Sequence, residues 1–382
     1  MTAPVLLDHA ATTPLRGEVR DALLAALDTC HGNPAAGHGP GRAARTVLED
    51  ARERIGAALG RSPHEVVVTS GGTEADQLAV VGTVRAALEH GRGHVVCSAV
   101  EHPAVRDAVA WLATTDGVEV TWVGPDAAVP VDADRLLDAV RDDTALVVCT
   151  GADGELGLRQ PVHELAGALA ERGVPLHVDA VQLVATAAVP PYASLAVSGH
   201  KLGAPTGVGV VVLPRDVPVV PLVPGPGQER GLRSGTQPAA LAAALATALE
   251  LAVAERPAHA RRSAALTARL ASALGDVPGL RASVPVDDPA RVPTHLHLQV
   301  DGVDGEALAT ALDTAGVAAS TGTACAAGSA SRSHVLEACK VTADATLRCS
   351  VGRSTTPAEV DRGAAAIATA VADLRAAGGG FW

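Results

Sequence analysis

Between residues 41 and 255, short valine-rich runs alternate with amphipathic stretches, and this alternation restricts the possible folds more than any other feature. The runs fall at 66–70, 94–98, 118–123, 145–150, 175–178, 194–197 and 208–213. Helical patterns at 42–59, 74–89, 104–112, 134–140 and 163–171 separate them. Strands that alternate with helices and carry little polar residue on either face predict an α/β fold with a mostly parallel sheet, buried on both sides. Ligands of such sheets sit beyond the carboxyl ends of the strands. Those ends are where chemistry is expected.

After Pro238 the pattern changes. An alanine-rich helical stretch runs towards Leu274 and is expected to break or kink near Pro257. A strand at 295–300, a helix at 305–315, a loop of small residues, a strand near Leu347 and a helix from Pro357 follow. This reads as a second, smaller α+β lobe.

Composition narrows the chemistry. The 382 residues are 48% hydrophobic and 19% charged, which permits a sizeable core and excludes wholesale disorder. A net charge of −12 gives no overall basic footprint for nucleic acid. The aromatic residues are Trp111, Trp122, Tyr192, Phe381 and Trp382, too few for base-stacking platforms. Of the 30 basic residues only Lys201 and Lys340 are lysine, and neither follows a glycine as a Walker phosphate loop requires. A lysine that survives where arginine is the rule is a candidate for chemistry that permanently protonated arginine cannot do. Lys340 is read as compositional drift.

The opening MTAPVLLDHA has neither the basic region nor the apolar stretch of a signal peptide. The run 239–254 is short, rich in alanine and interrupted by Thr247 and Glu250, so a soluble helix is expected rather than a membrane span. Six cysteines without a Cys-x-x-Cys pair suit a reducing, cytoplasmic setting. No histidine spacing suggests a metal site, so no metal is expected.

Four motifs fall where strands end. Ser70-Gly71-Gly72-Thr73-Glu74 leads from a strand into a helix, a turn that lets backbone N–H groups approach a phosphate. Asp179 follows one buried strand, and Lys201, in Ser198-Gly199-His200-Lys201, follows the next. An aspartate to pair a pyridine nitrogen and a lysine to form a Schiff base are what pyridoxal 5'-phosphate requires. His102, in Glu101-His102-Pro103, offers a ring for stacking and a proton exchanger near neutral pH. In the second lobe, Thr321 to Ser329 is a run of small residues around Cys325, a setting for an accessible thiolate. Arg348 suits a carboxylate clamp. Cys30, Cys97, Cys149, Cys339 and Cys349 lie in apolar or helical contexts and are read as packing.

Taken in order, Leu7-Asp8-His9-Ala10-Ala11-Thr12-Thr13-Pro14, Gly32-Asn33-Pro34, Thr69 to Ala75, Glu101 to Val105, Asp179 to Gln182, Ser198 to Lys201, Arg233-Ser234-Gly235-Thr236, Gly322 to Cys325 and Leu347-Arg348 resemble the PLP-dependent cysteine desulfurases of aminotransferase class V. The match spans nearly the whole chain, and residues 326–336 resemble the branch with a long cysteine loop. The resemblance implies a PLP-dependent transferase fold of type I, with a large domain over 15–255 and a small domain over 1–14 and 256–382. It implies that Lys201 carries the cofactor and shuttles protons, Asp179 pairs the ring nitrogen, Gln182 bonds the ring hydroxyl and His102 stacks on the ring. Gly72, Thr73, Ser198 and His200 are then expected to hold the phosphate, joined by Thr236 from the other subunit of a homodimer. Arg348 is expected to bind the substrate carboxylate with Asn33 nearby, and Cys325 to take the sulfur as a persulfide.

The implied function is conversion of L-cysteine to L-alanine, with the sulfur passed to an acceptor protein in tRNA thiolation, iron–sulfur assembly or a related pathway. A selenocysteine lyase or other C–S lyase is the nearest alternative within the same chemistry. A non-catalytic scaffold for sulfur carriers is the alternative of another class. One departure bears on all three: Gly154 stands where the family usually has asparagine, within Ala152-Asp153-Gly154-Glu155. The lost amide removes one or two hydrogen bonds, each worth about 0.5–1.5 kcal/mol. Asp76, where asparagine is usual, and Pro226 are further departures.

Overall fold

The computed structural model describes residues 4–191, 193–321 and 333–378. After β1 (Val5–Leu6) come the strands of the main sheet: β2 (Val66–Thr69), β3 (His94–Ser98), β4 (Glu119–Val123), β5 (Thr144–Val148), β6 (Leu176–Asp179), β7 (Ser194–Ser198) and β8 (Gly209–Val212). Their order is β2-β8-β7-β6-β5-β3-β4. Only β8 runs antiparallel to its neighbours, β2 and β7; the other pairs are parallel. The expected α/β fold with a mostly parallel sheet is what the chain adopts.

Helices α1 (Gly17–Thr29), α2 (Gly39–Leu59), α3 (Gly72–Leu88), α4 (Pro103–Thr115), α5 (Ala133–Asp138) and α6 (Val162–Glu171) surround this sheet. Both strand faces are covered because successive side chains point opposite ways. Val96 of β3 packs in one cluster with residues of α2, α5 and α6, whereas Val95 and Cys97 pack in another with residues of α3 and α4. Helix ends carry recognisable stops: α2 opens on His38, whose Nδ1 accepts from Gly41 N at 3.2 Å, and closes on left-handed Gly60.

A second core is built on β9 (Leu280–Ala282), β10 (His295–Val300), β12 (Ser320–Thr321) and β13 (Ala345–Ser350), an antiparallel sheet of order β12-β13-β10-β9. β11 (Val317–Ala318) pairs in parallel with β1, which ties the N-terminal segment to this part of the molecule. α8 (Gly305–Thr314), α9 (His334–Ala338) and α10 (Pro357–Gly378) complete the described helices besides α7.

α7 (Ala239–Leu274) runs unbroken for 36 residues, so the break expected at Pro257 is absent. Its first half packs Ala242, Leu245 and Leu249 into the main core, and its second half packs Leu266, Leu270 and Leu274 into the smaller one. Proline costs one backbone hydrogen bond, but its ring is exposed here and both flanking stretches are held by packing.

Candidate active site

Three strand ends converge because of register and glycine. β6 and β7 are adjacent and parallel, with Asp179 opposite Ala196, so Asp179 emerges beside the short 3-10 turn Gly199–Lys201 that follows β7. Gly209 of β8 lies opposite both Thr69 and Ser198. A Cβ on Gly209 would stand 2.6 Å from the Gly71 carbonyl carbon, so glycine lets the turn into α3 fold across the strand end. At Gly72 a Cβ would meet Val181 Cγ2 at 3.1 Å and Ser198 Cβ at 3.4 Å. The amino end of α3 is thereby seated against the ends of β6 and β7.

These residues fit the cofactor that the sequence implies. The first-turn N–H groups of α3 lack intrahelical partners, Thr73 belongs to that turn and Ser198 packs against Gly72, which makes an anion cradle. Asp179 is buried and its Oδ1 accepts from Val181 N at 2.9 Å. Burial raises the Asp179 carboxyl, while His102, the Val181 N–H and Lys201 act to keep it ionised. Such a carboxylate suits a protonated ring nitrogen. When bound, pyridoxal phosphate supplies an electron sink for negative charge at the substrate α-carbon.

Lys201 Nζ donates to the Ala11 carbonyl at 2.8 Å and to the Ala10 carbonyl. Gln182 Nε2 donates to the same Ala10 carbonyl at 3.0 Å, so the Asp8–Thr13 segment orders both side chains. Lys201 and Gln182 line a cavity of about 240 Å³ together with His9, His295 and Ser350. His102 caps α4: its Nδ1 accepts from Ala104 N at 3.1 Å, which places the proton of the neutral ring on Nε2. Its ring is open to solvent on one side yet hemmed in by protein, and that enclosure lowers its basicity; Asp179 opposes this and Lys201 reinforces it.

Arg348 of β13 is half-buried, donating to Asp8 Oδ1 and to the Gly154 carbonyl, each at 2.8 Å. Its Nε is buried without a partner among the described residues. Gly154 faces Gln182, since a Cβ there would lie 3.6 Å from Gln182 Nε2. The loop around Gly154 is fixed by Asp153, whose carboxyl accepts from the backbone N–H of Glu155, Leu156, Gly157 and Leu158.

Lys201, Asp179, His102, Gly72, Ser198, Gln182 and Arg348 thus belong to one neighbourhood. His200 is turned to Thr12, its Nδ1 lying 3.1 Å from the Thr12 Oγ1. Asn33 stands exposed, its Oδ1 accepting from Ala35 N at 2.9 Å, and Thr236 stands exposed on the loop whose Arg233 pairs with Glu74 of α3 at 2.8 Å. Cys325 lies outside the described residues, but its flanks do not. Thr321 pairs with Leu347 beside Arg348; Ser333 donates to Glu155 at 2.5 Å; His334 Nε2 donates to the Glu101 carbonyl at 2.8 Å.

Three contributors escape a reading of the sequence alone. Asp8 and the Ala10 carbonyl belong to a motif with no assigned chemistry, and buried Glu101 carries no motif signal of its own. Burial pushes the Glu101 carboxyl up to about 8.

The family model of class-V aminotransferases matches residues 5–362. An IscS-like cysteine desulfurase of Mycobacterium tuberculosis is 41% identical, with 97% of each chain covered. A solved NifS-like protein superposes with a TM-score of 0.89 at 30% identity, covering 97% of this chain and all of that one. The structure described as SspA in complex with cysteine superposes with a TM-score of 0.79 at 28% identity, over 91% of this chain and 98% of that one. The chain belongs to the class-V aminotransferases, a family that depends on pyridoxal phosphate. Within that family it is a cysteine desulfurase of the IscS/NifS kind.

Proposed function

We propose that the protein converts L-cysteine to L-alanine with Cys325 as the first sulfur acceptor, and that it does so as a homodimer serving a sulfur-acceptor protein. In this step the substrate C–S bond breaks and an S–S bond forms. L-cysteine and the Cys325 thiol become L-alanine and a Cys325 persulfide, with no outside oxidant. The convergence of Lys201 and Asp179 at the adjacent ends of β7 and β6 beside the α3 amino end, with His102 following β3 in the same sheet, carries the reading.

The roles proposed for the other residues are those the family resemblance implies. Lys201 carries the cofactor and shuttles protons. Asp179 holds the ring nitrogen, Gln182 the ring hydroxyl, and Gly72, Thr73, Ser198 and His200 the phosphate, with Thr236 reaching in from the second subunit. His102 presents Nε2–H to the site. Arg348, with Asn33, receives the substrate carboxylate.

Four of the remaining cysteines support the choice of Cys325. Burial pushes the thiols of Cys97 and Cys149 well up, and those of Cys339 and Cys349 up to about 12, so none of these is a ready thiolate. Exposed Leu24, Leu27 and Val223 are apolar surface that a second subunit would cover. The division into 15–255 and 1–14 with 256–382 finds support in the smaller core, where Val5 and Leu7 join residues of β10, β13 and α10. Val335, Leu336 and Cys339 nevertheless pack on the main core. Among the described residues no helix is long and apolar enough to cross a membrane, and a cytoplasmic site of action is part of this proposal.

The experiment is sodium borohydride reduction followed by peptide mapping, with alanine and sulfide assays alongside. The cofactor is expected on Lys201, and Lys201→Ala is expected to lose both the trapped cofactor and alanine release. Trapping that survives in Lys201→Ala contradicts the assignment.

A further inference from the structure

Asp76 departs from the family pattern, and the fold shows where it points. It lies on the buried face of α3, 1% exposed, against the fully buried His177 of β6. His177 Nδ1 is 2.9 Å from Ser194 Oγ, and that hydroxyl donates its single proton to the Leu176 carbonyl at 3.2 Å. Ser194 Oγ therefore accepts from His177 Nδ1–H, which leaves the lone pair of the neutral imidazole on Nε2. Nε2 faces Asp76 Oδ1 at 3.1 Å. Two lone pairs do not face one another at this distance, so a proton lies between them.

We propose that Asp76 is a neutral carboxylic acid donating its proton to His177 Nε2, a positioning residue that fixes β6 behind Asp179 without adding charge beside it. The competing arrangements, a carboxylate against an imidazolium or against a neutral ring protonated on Nε2, both keep an ionised carboxylate where it meets no water. Burial pushes the Asp76 carboxyl well up, and the charges of Asp179 and Glu101, the other ionisable groups facing it, push the same way. Burial holds His177 down to about 3. The acid thus does what an asparagine amide would do at this place: it donates to Nε2 and stays uncharged. The inference rests on the proposed function in one respect, that Asp179 is the carboxylate meeting the cofactor ring.

The test compares infrared spectra of the holoenzyme and its Asp76→Asn variant. At neutral pH the difference spectrum is expected to contain one protonated-carboxyl stretch, and the pH midpoint of the cofactor's visible absorbance is expected to be the same in both proteins. A carboxylate band in place of the acid band overturns the proposal. So does a midpoint displaced by about one pH unit or more, a tenfold change in the proton equilibrium. If Asp76→Asn does not fold, the ¹⁵N shifts of His177 in the unaltered holoenzyme decide the matter. A protonated Nδ1 with an accepting Nε2 supports the proposal; a doubly protonated ring, or one protonated on Nε2 alone, overturns it. Borohydride trapping on Lys201 tests the cofactor assignment separately, so a failure there is distinguishable from a missing acid band.

Discussion

Arg348 is engaged before any substrate arrives: Asp8 and the Gly154 carbonyl each take one of its N–H groups. In the role proposed for Arg348, a substrate carboxylate competes with Asp8. Asp8→Asn removes the competing charge, and KM for L-cysteine is expected to fall by up to about tenfold, equivalent to about 1.4 kcal/mol, with kcat changing less. A raised KM in steady-state assays would show instead that Asp8 orients the guanidinium. Glu101 supplies a pH prediction. Its carboxyl is raised from 4.5 to about 8 by burial, so between those values the unfolded chain sheds a proton that the folded chain keeps. Stability fully present at low pH is lost as pH rises through this window, with a slope of up to about 1.4 kcal/mol per pH unit from this group. Glu101→Gln should flatten that slope in urea titrations run across the window; an unchanged slope refutes the assignment. At this scale the sequence was legible where composition singled a residue out, as lysine scarcity did for Lys201. Contacts such as Asp8 with Arg348 or Asp76 with His177 join residues hundreds or about a hundred positions apart, and no local pattern encodes them.

The main strands were readable because apolar runs bounded by turn residues have few other uses. α1 was not, because its leucines obscure any stripe: Leu24 is 53% and Leu27 51% exposed while Val19 and Ala26 are buried. β1 and β11 are two residues each and exist through their pairing alone. The loop that bears Thr236 depends on Glu229, whose left-handed backbone (φ 48) is held by a buried carboxylate. That carboxylate accepts from both terminal nitrogens of Arg52 at 2.9 Å, from Val68 N at 2.8 Å and from Gln237 at 2.9 Å. The Arg52 pairing outweighs burial and keeps Glu229 below the usual carboxylate range. Glu229→Ala would leave the buried Arg52 guanidinium with half-exposed Glu49 as its ion-pair partner, at a cost of up to about 3–5 kcal/mol. Thermal denaturation should show the loss, and cofactor retention should weaken with it; a melting temperature within error of the parent's would show that the pair is dispensable. Gly209→Ala tests the strand-end convergence. Its methyl group would collide with Gly71 backbone, so about 1–3 kcal/mol of stability and much of the cofactor affinity should be lost, as read by calorimetry and by absorbance after dialysis. Undiminished cofactor binding would mean that the turn can move aside.

Across the whole molecule, α7 spans both cores, and the two flanks of residues 322–332 are pinned within the same neighbourhood. Thr321 is held next to Arg348, and His334 is held on the Glu101 carbonyl next to His102. The described residues on either side of the segment that bears Cys325 are thus held beside Arg348 and His102, the groups proposed to receive the substrate carboxylate and exchange its protons. Mass spectrometry of the holoenzyme after brief exposure to L-cysteine, with thiols blocked and peptides mapped, measures the consequence. One added sulfur atom is expected on the peptide containing Cys325, absent from Cys325→Ser, with alanine released in step. Added sulfur confined to Cys30, Cys339 or Cys349, with Cys325→Ser still releasing alanine at the parent rate, would contradict it.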